Sequence, residues 1–191
     1  MIRVLAGLFA ISITIASIIS LITEITDHHP PPLDLDVTCT NPAKTPRSPE
    51  EKRLVRIYAA WHSEMKDAAK THSVDCRFIA ATIAVESGGY ANARGKNSEL
   101  GLTQIKPATA VFLGVDPRKL FDPEINVDTG TRYLKYIRQT CGYHKPEEMF
   151  LAYNQGPEGA RNLIKAGLSP EDHAYVERAS KYLRILGYPG I

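Results

Sequence analysis

The chain has 191 residues, 43% hydrophobic and 23% charged, which suffices for one compact domain with an appendage and hardly for two full domains. A formal net charge of +2, with no Lys/Arg run interleaved with aromatics, argues against a nucleic-acid partner. The 6 histidines form no HExxH or similar cluster and the 3 cysteines form no CxxC pair, so no metal site is expected.

Val4 to Thr23 carries no charge and is rich in Ile, Leu, Ala and Val, with Arg3 before it and Glu24 and Asp27 after it. Such a run is long enough to cross a bilayer core of about 30 Å as a helix. Arg3 should stay cytoplasmic, which places the rest of the chain outside. A cleaved signal peptide is the alternative, although Glu24-Ile25-Thr26-Asp27-His28 offers no small-x-small cleavage site. Either way, residues 1–23 read as a transmembrane anchor or signal segment, and the domain behind them is exported. His28 to Pro49 includes Pro30-Pro31-Pro32 and three further prolines, so residues 24–49 read as an extended Pro-rich linker.

Residues 50–191 carry helical signals and no convincing alternating strand. Ser48-Pro49-Glu50-Glu51 supplies an N-cap, a proline at the first helical position and a capping-box glutamate. Leu54, Tyr58, Trp61, Met65 and Ala68 then recur as one apolar stripe. Asp75 caps a second helix with Phe78, Ile79 and Ile83, which stops at Gly88-Gly89. A short third helix runs from Pro107 to near Gly114. Asp122-Pro123 opens a fourth, with Val127, Leu134, Ile137 and Cys141 on one side. A fifth covers Pro146 to Asn154, a sixth runs from Pro157 to Gly167, and Ser169-Pro170-Glu171-Asp172 caps a seventh that reaches Gly187. The spacing thus predicts a compact all-α domain, with Trp61 and Phe112 read as core. In an exported domain Cys39, Cys76 and Cys141 allow one disulfide with one cysteine left over. All three pairings are open, and Cys76 with Cys141 is favoured because both fall at predicted helix ends.

The chemistry gathers at Glu86. Ile83, Thr82 and Ile79 precede it by three, four and seven residues, so its own helical face is largely apolar. An acid against an apolar wall has its ionised form disfavoured and can stay protonated near neutral pH, ready to donate to a leaving oxygen. A helix-end glutamate taken alone more often points into solvent, so the surrounding motifs decide the matter.

Glu86-Ser87-Gly88-Gly89-Tyr90 is followed by Gly101-Leu102-Thr103-Gln104-Ile105-Lys106-Pro107-Ala108-Thr109-Ala110. Asn126, Gly130 and Tyr133-Leu134 come next, and then Ala152-Tyr153-Asn154-Gln155-Gly156-Pro157. Together these resemble the soluble lytic transglycosylase (SLT) family, the lysozyme-like enzymes of bacterial cell-wall cleavage, over roughly Val55 to Tyr182. Asn97-Ser98-Glu99-Leu100, in place of a common Gly-Ala pair, resembles the small members that accompany conjugation and secretion machines. Thr103 stands where Met is usual, which points to an altered sugar subsite. Glu171 and Tyr175-Val176 fit a terminal pattern in which Asp172-His173 replaces Thr-Arg.

The resemblance implies a lysozyme-like fold, no cofactor, and peptidoglycan glycan strands as substrate. It implies cleavage of the β-1,4 bond between N-acetylmuramic acid and N-acetylglucosamine, leaving a 1,6-anhydro end. Glycoside hydrolysis ordinarily uses two carboxylates, but here the substrate's acetamido group and C6 hydroxyl replace the second. Glu86 is then acid and afterwards base, with Ser87, Gln104, Tyr153, Asn154 and Tyr175 as substrate-binding residues. The expected location is the outer side of the cytoplasmic membrane, in partnership with a conjugation or secretion apparatus. The alternatives are a hydrolytic muramidase of the same fold, which a second carboxylate such as Glu99 near the cleft would favour, and a glycan-binding scaffold.

Overall fold

The computed structural model describes residues 35–40 and 45–189. The expected anchor or signal segment, residues 1–23, lies outside the described residues, as does much of the linker. Among the described residues no helix is long and apolar enough to cross a membrane.

The described residues form seven α-helices: α1 (Pro49–His72), α2 (Cys76–Glu86), α3 (Pro107–Phe112), α4 (Pro123–Gln139), α5 (Pro146–Gln155), α6 (Pro157–Lys165) and α7 (Ala174–Ile185). They contain no strand, only isolated bridges of Leu100 with Arg94 and with Ile105. The starts follow local chemistry. The Ser48 hydroxyl accepts from Glu51 N at 3.1 Å while the Glu51 carboxylate accepts from Ser48 N at 2.9 Å. Asp75 caps α2 through Arg77 N at 2.9 Å, and Asp122 caps α4 through Ile125 N at 3.2 Å. The expected helix start at Ser169 is displaced. Pro170–Asp172 forms only a 3₁₀ turn, His173 is extended (φ −81°, ψ 123°), and its ring accepts from Tyr175 N to start α7.

The core centres on α2, in which Cys76 and every residue from Phe78 to Ala84 are buried. A helix apolar on all sides is stable only when surrounded, and α1 and α7 pack against it, with α4 in lesser contact. Phe78 meets Phe150 of α5 and Tyr188 at ring distances of 5.2 and 5.1 Å. α1 kinks at Trp61 (φ −129°, ψ 20°), whose half-buried indole donates to the Gly89 carbonyl at 3.0 Å and ties α1 to the turn after α2. His72 and Asp128, 2.5 Å apart, join α1 to α4, and Arg132 reaches the same carboxylate at 3.0 Å.

Two further expectations are corrected. The disulfide joins Cys39 to Cys76, leaving Cys141 free. Asp36 explains the choice: its N–H donates to Asp75 Oδ2 and its carbonyl accepts from Cys76 N, laying residues 35–39 against the start of α2. Nor does Phe112 join the core. The six-residue α3 buries only Ala110, and Val111 and Phe112 are left 64% and 62% exposed.

Candidate active site

Glu86 is the last residue of α2. Because the preceding helix is buried all round, α2 runs through the core and presents its end to a cavity of 730 Å³. Burial is the dominant influence on the Glu86 carboxyl and lifts it from the ordinary 4.5 to about 7. The Tyr175 hydroxyl opposes this by donating to Glu86 Oε1 at 2.7 Å, Glu99 adds to it through like charge, and Arg178 opposes it. The group is therefore near half-protonated at neutral pH, suited both to donating a proton and to taking one back.

Around Glu86 the wall is built by one tight turn. Gly101 has φ +77°, and a Cβ there would strike Asn126 Nδ2 and the Leu120 carbonyl, so the backbone passes where only glycine fits. Asn126 of α4 is fully engaged. Its Oδ1 accepts from Thr103 N and Oγ1 at 2.8 and 2.7 Å, and its Nδ2 donates to the carbonyls of Leu100 and Leu120 at 2.9 and 2.8 Å. Thr103 is buried in this network, so its side chain belongs to the core rather than to a sugar subsite. Its carbonyl accepts from the Tyr153 hydroxyl at 2.9 Å. Burial and the neighbouring Glu86 charge hold the Tyr153 phenol well above its ordinary value, hence neutral.

Gln104 sits at φ +50°, and its Nε2 donates to the carbonyls of Gly101 and Ala93 at 2.7 and 3.2 Å. Its carbonyl oxygen is the end available to a ligand. Glu86, Gln104, Tyr153 and Asn154 all line the cavity, and Tyr175 supports Glu86 from the buried side. Ser87 lies elsewhere: its hydroxyl donates to the Ile83 carbonyl at 3.3 Å and accepts from Gly89 N at 3.1 Å, closing the end of α2.

Glu99 also lines the cavity, together with Lys96, Lys106, Tyr133 and Arg178. Partial burial works to raise the Glu99 carboxyl, but the backbone N–H groups of Glu99 and Asn97, with Lys106 at 3.7 Å, outweigh it and hold the group below its ordinary value. Arg178 was readable in principle, since three residues after Tyr175 on a helix lie on the same face. Lys96 and Lys106 come from loops and gave no such signal. A second cavity, of 440 Å³, is lined by Glu64, Asp67, Asp116, Glu124 and Asp128, and it does not contain Glu86.

Comparison with known proteins gives the family and the fold. The family model described as "Transglycosylase SLT domain" matches residues 63–175. Membrane-bound lytic murein transglycosylase E of Buchnera aphidicola subsp. Baizongia pistaciae is 33% identical over 93 residues, covering 44% of this chain and 44% of its own. Endo-type membrane-bound lytic murein transglycosylase A of Enterobacter sp. (strain 638) is 32% identical over 120 residues, 57% of each chain. The chain thus spans about half the length of the curated relatives it matches. Two solved structures share the fold at TM-score 0.59. The lytic transglycosylase Slt of Pseudomonas aeruginosa is 23% identical, covering 70% of this chain and 25% of that one. The 70 kDa soluble lytic transglycosylase of Escherichia coli is 22% identical, covering 72% and 26%. The family match takes in more than half of the chain, including every residue of the Glu86 site except Arg178, and the chain belongs to the transglycosylase SLT domain family.

Proposed function

We propose that this domain is a peptidoglycan lytic transglycosylase that breaks the β-1,4 bond between N-acetylmuramic acid and N-acetylglucosamine, with Glu86 as acid and then base. The observation that carries the reading is one carboxyl held near pH 7 at the end of a buried helix, facing a polar cavity. The names of the relatives, lytic murein transglycosylases, support it.

In the first step Glu86 gives its proton to the bridging oxygen as the C1–O bond breaks and N-acetylglucosamine leaves with a free 4-hydroxyl. The acetamido oxygen of the muramic ring steadies the positive charge at C1. The C6 oxygen of the same ring then bonds to C1, and the Glu86 carboxylate takes the C6 hydroxyl proton. The enzyme ends as it began and no water is consumed. An intramolecular nucleophile has a high effective concentration, so no second carboxylate is required. Tyr175 steadies the Glu86 anion between the two steps. Gln104 and Asn154 offer amides to the sugar substituents. Glu86→Gln should keep the fold and glycan binding while cleavage falls by about 10²–10⁴-fold or more, the usual worth of a general acid–base step. Cleavage within a few-fold of wild type would end the single-acid mechanism.

A second reading has one observation in its favour. Glu99 shares the cavity and stays ionised, as a base activating water would in a hydrolytic muramidase. Its hydrogen bond from Asn97 N at 2.9 Å and its pairing with Lys106 leave it committed to its own loop, so the transglycosylase reading is preferred. A scaffold that only binds glycan would gain nothing from an acid raised toward neutrality.

The proposed location is the cell envelope, with residues 1–23 as a membrane anchor or exported leader. The Cys39–Cys76 disulfide suits an oxidising compartment. Service to a conjugation or secretion apparatus rests on the Asn97–Leu100 resemblance alone.

A further inference from the structure

The most exposed large apolar side chains among the described residues are Tyr90, Val111 and Phe112, and Phe112 is the one joined to the Glu86 cavity by other aromatic rings. Its ring meets Tyr136 edge-on at 5.1 Å, Tyr136 stacks with Tyr133 at 6.2 Å (12° between planes), and Tyr133 meets Tyr153 at 5.3 Å. Four rings therefore run in file from the buried Tyr153, beside Glu86, to the surface of α3. A shallow depression of 280 Å³ follows the outer part of this file, lined by Ala108, Thr109, Phe112, Tyr133, Tyr136 and Pro157. It shares Thr109 and Tyr133 with the Glu86 cavity, so the two adjoin at these side chains.

We propose that Phe112, backed by Tyr136, is an outer aromatic platform on which the glycan strand lies after it leaves the Glu86 cavity, and that it sets a preference for longer strands. This rests on the functional reading above. The occupant is argued from this adjacency: whatever polymer fills the cavity must leave it, and this depression offers an apolar exit. A pyranose ring presents a face of C–H groups, and an exposed aromatic ring supplies the matching flat apolar surface without needing a hydrogen-bond partner. The edge contact with Tyr136 holds the Phe112 ring, so little side-chain freedom is lost on binding. A protein docked on α3 would use the adjacent Val111 as readily as Phe112, but Val111 does not line the depression.

The test uses the cleavage-deficient Glu86→Gln chain and calorimetric binding of two peptide-free oligosaccharides of alternating N-acetylglucosamine and N-acetylmuramic acid, a tetrasaccharide and an octasaccharide. The octasaccharide should bind more tightly, and adding Phe112→Ala should weaken it about 3- to 10-fold while the tetrasaccharide changes less than about 2-fold. Phe112→Tyr, which keeps the ring, should retain the tighter octasaccharide binding, and Phe112→Leu, which keeps only the apolar bulk, should lose it. Because the side chain is mostly exposed, all three variants should melt with the parent. Equal weakening of both oligosaccharides, no change in either, or retention by Phe112→Leu would each overturn the platform. If the Glu86→Gln chain binds neither oligosaccharide, the functional reading falls and this inference with it. If it binds both and Phe112 makes no difference, only this inference falls.

Discussion

Glu86→Gln tests the desolvated carboxyl with no substrate present. In the unfolded chain this group titrates near 4.5, and in the folded chain near 7. The native state therefore holds the proton more tightly than the unfolded state does. The resulting stabilisation is complete below pH 4.5 and is lost as pH rises through about 7. Glutamine has nearly the same shape, can still accept from the Tyr175 hydroxyl, and does not titrate. Variant-minus-wild-type unfolding free energy should accordingly be flat at low pH, climb between about pH 5 and 7, and level off above about pH 8. The interval from 4.5 to about 7 sets a ceiling of about 3 kcal/mol on the climb. Glu86 still faces water on its cavity side, so about 1–3 kcal/mol is expected. Urea melts taken across that pH range read it directly, because slopes of about 1–3 kcal/mol per molar turn it into a midpoint shift of about 1 M. A constant offset caused by the new amide would not matter, since only the change with pH carries the information. Parallel curves at every pH, or a difference that shrinks as pH rises, would refute a carboxyl raised by burial.

Tyr175→Phe removes the donor that counteracts burial, so the Glu86 carboxyl should rise further and the alkaline limb of kcat/KM should move to higher pH by about one unit, a hydrogen bond to a charged group contributing about 1.5–3 kcal/mol. An unmoved limb would mean that the 2.7 Å contact does not tune the acid. Alkaline phosphatase fused after Pro49 should be active, because Arg3 precedes the apolar run and Glu24 and Asp27 follow it. An inactive fusion, with a cytoplasmic reporter active at the same junction, would reverse the proposed orientation.

The sequence made most of the helix starts legible because they depend on neighbours. Ser48, Asp75 and Asp122 cap through residues two or three positions away, and proline opens α1, α3, α4, α5 and α6. What depends on distant partners was not legible. The Cys39–Cys76 pairing follows from a strap laid across the start of α2 by Asp36, thirty-nine residues from its partner Asp75. Phe112 looked like core by composition, but a helix of a turn and a half can bury only one face, and Ala110 takes it. His173 shortened the last helix by adopting an extended backbone at a position that pattern alone reads as helical.

The site divides in the same way. Motif order pointed to Glu86, Gln104, Tyr153 and Asn154, which meet at one cavity. The same pattern pointed to Ser87, whose hydroxyl is spent on its own helix end. The loop cations Lys96 and Lys106 could be placed only by the fold. So could the depth of Thr103, whose short side chain reaches Asn126 because Gly130 of α4 leaves room for it.

The central claim is that one carboxylate suffices because the substrate supplies its own nucleophile, and the product decides it. Wild-type enzyme digesting purified peptidoglycan should release muropeptides that carry the 1,6-anhydro ring. By mass spectrometry these are lighter by one water than the corresponding lysozyme products, and they resist borohydride reduction. Glu99→Gln should give the same product, since Glu99 has no part in the bond-breaking step. Mostly reducing-end products from the wild type, or loss of cleavage in a folded Glu99→Gln chain, would contradict the account and make the enzyme a hydrolase with Glu99 as its second carboxylate.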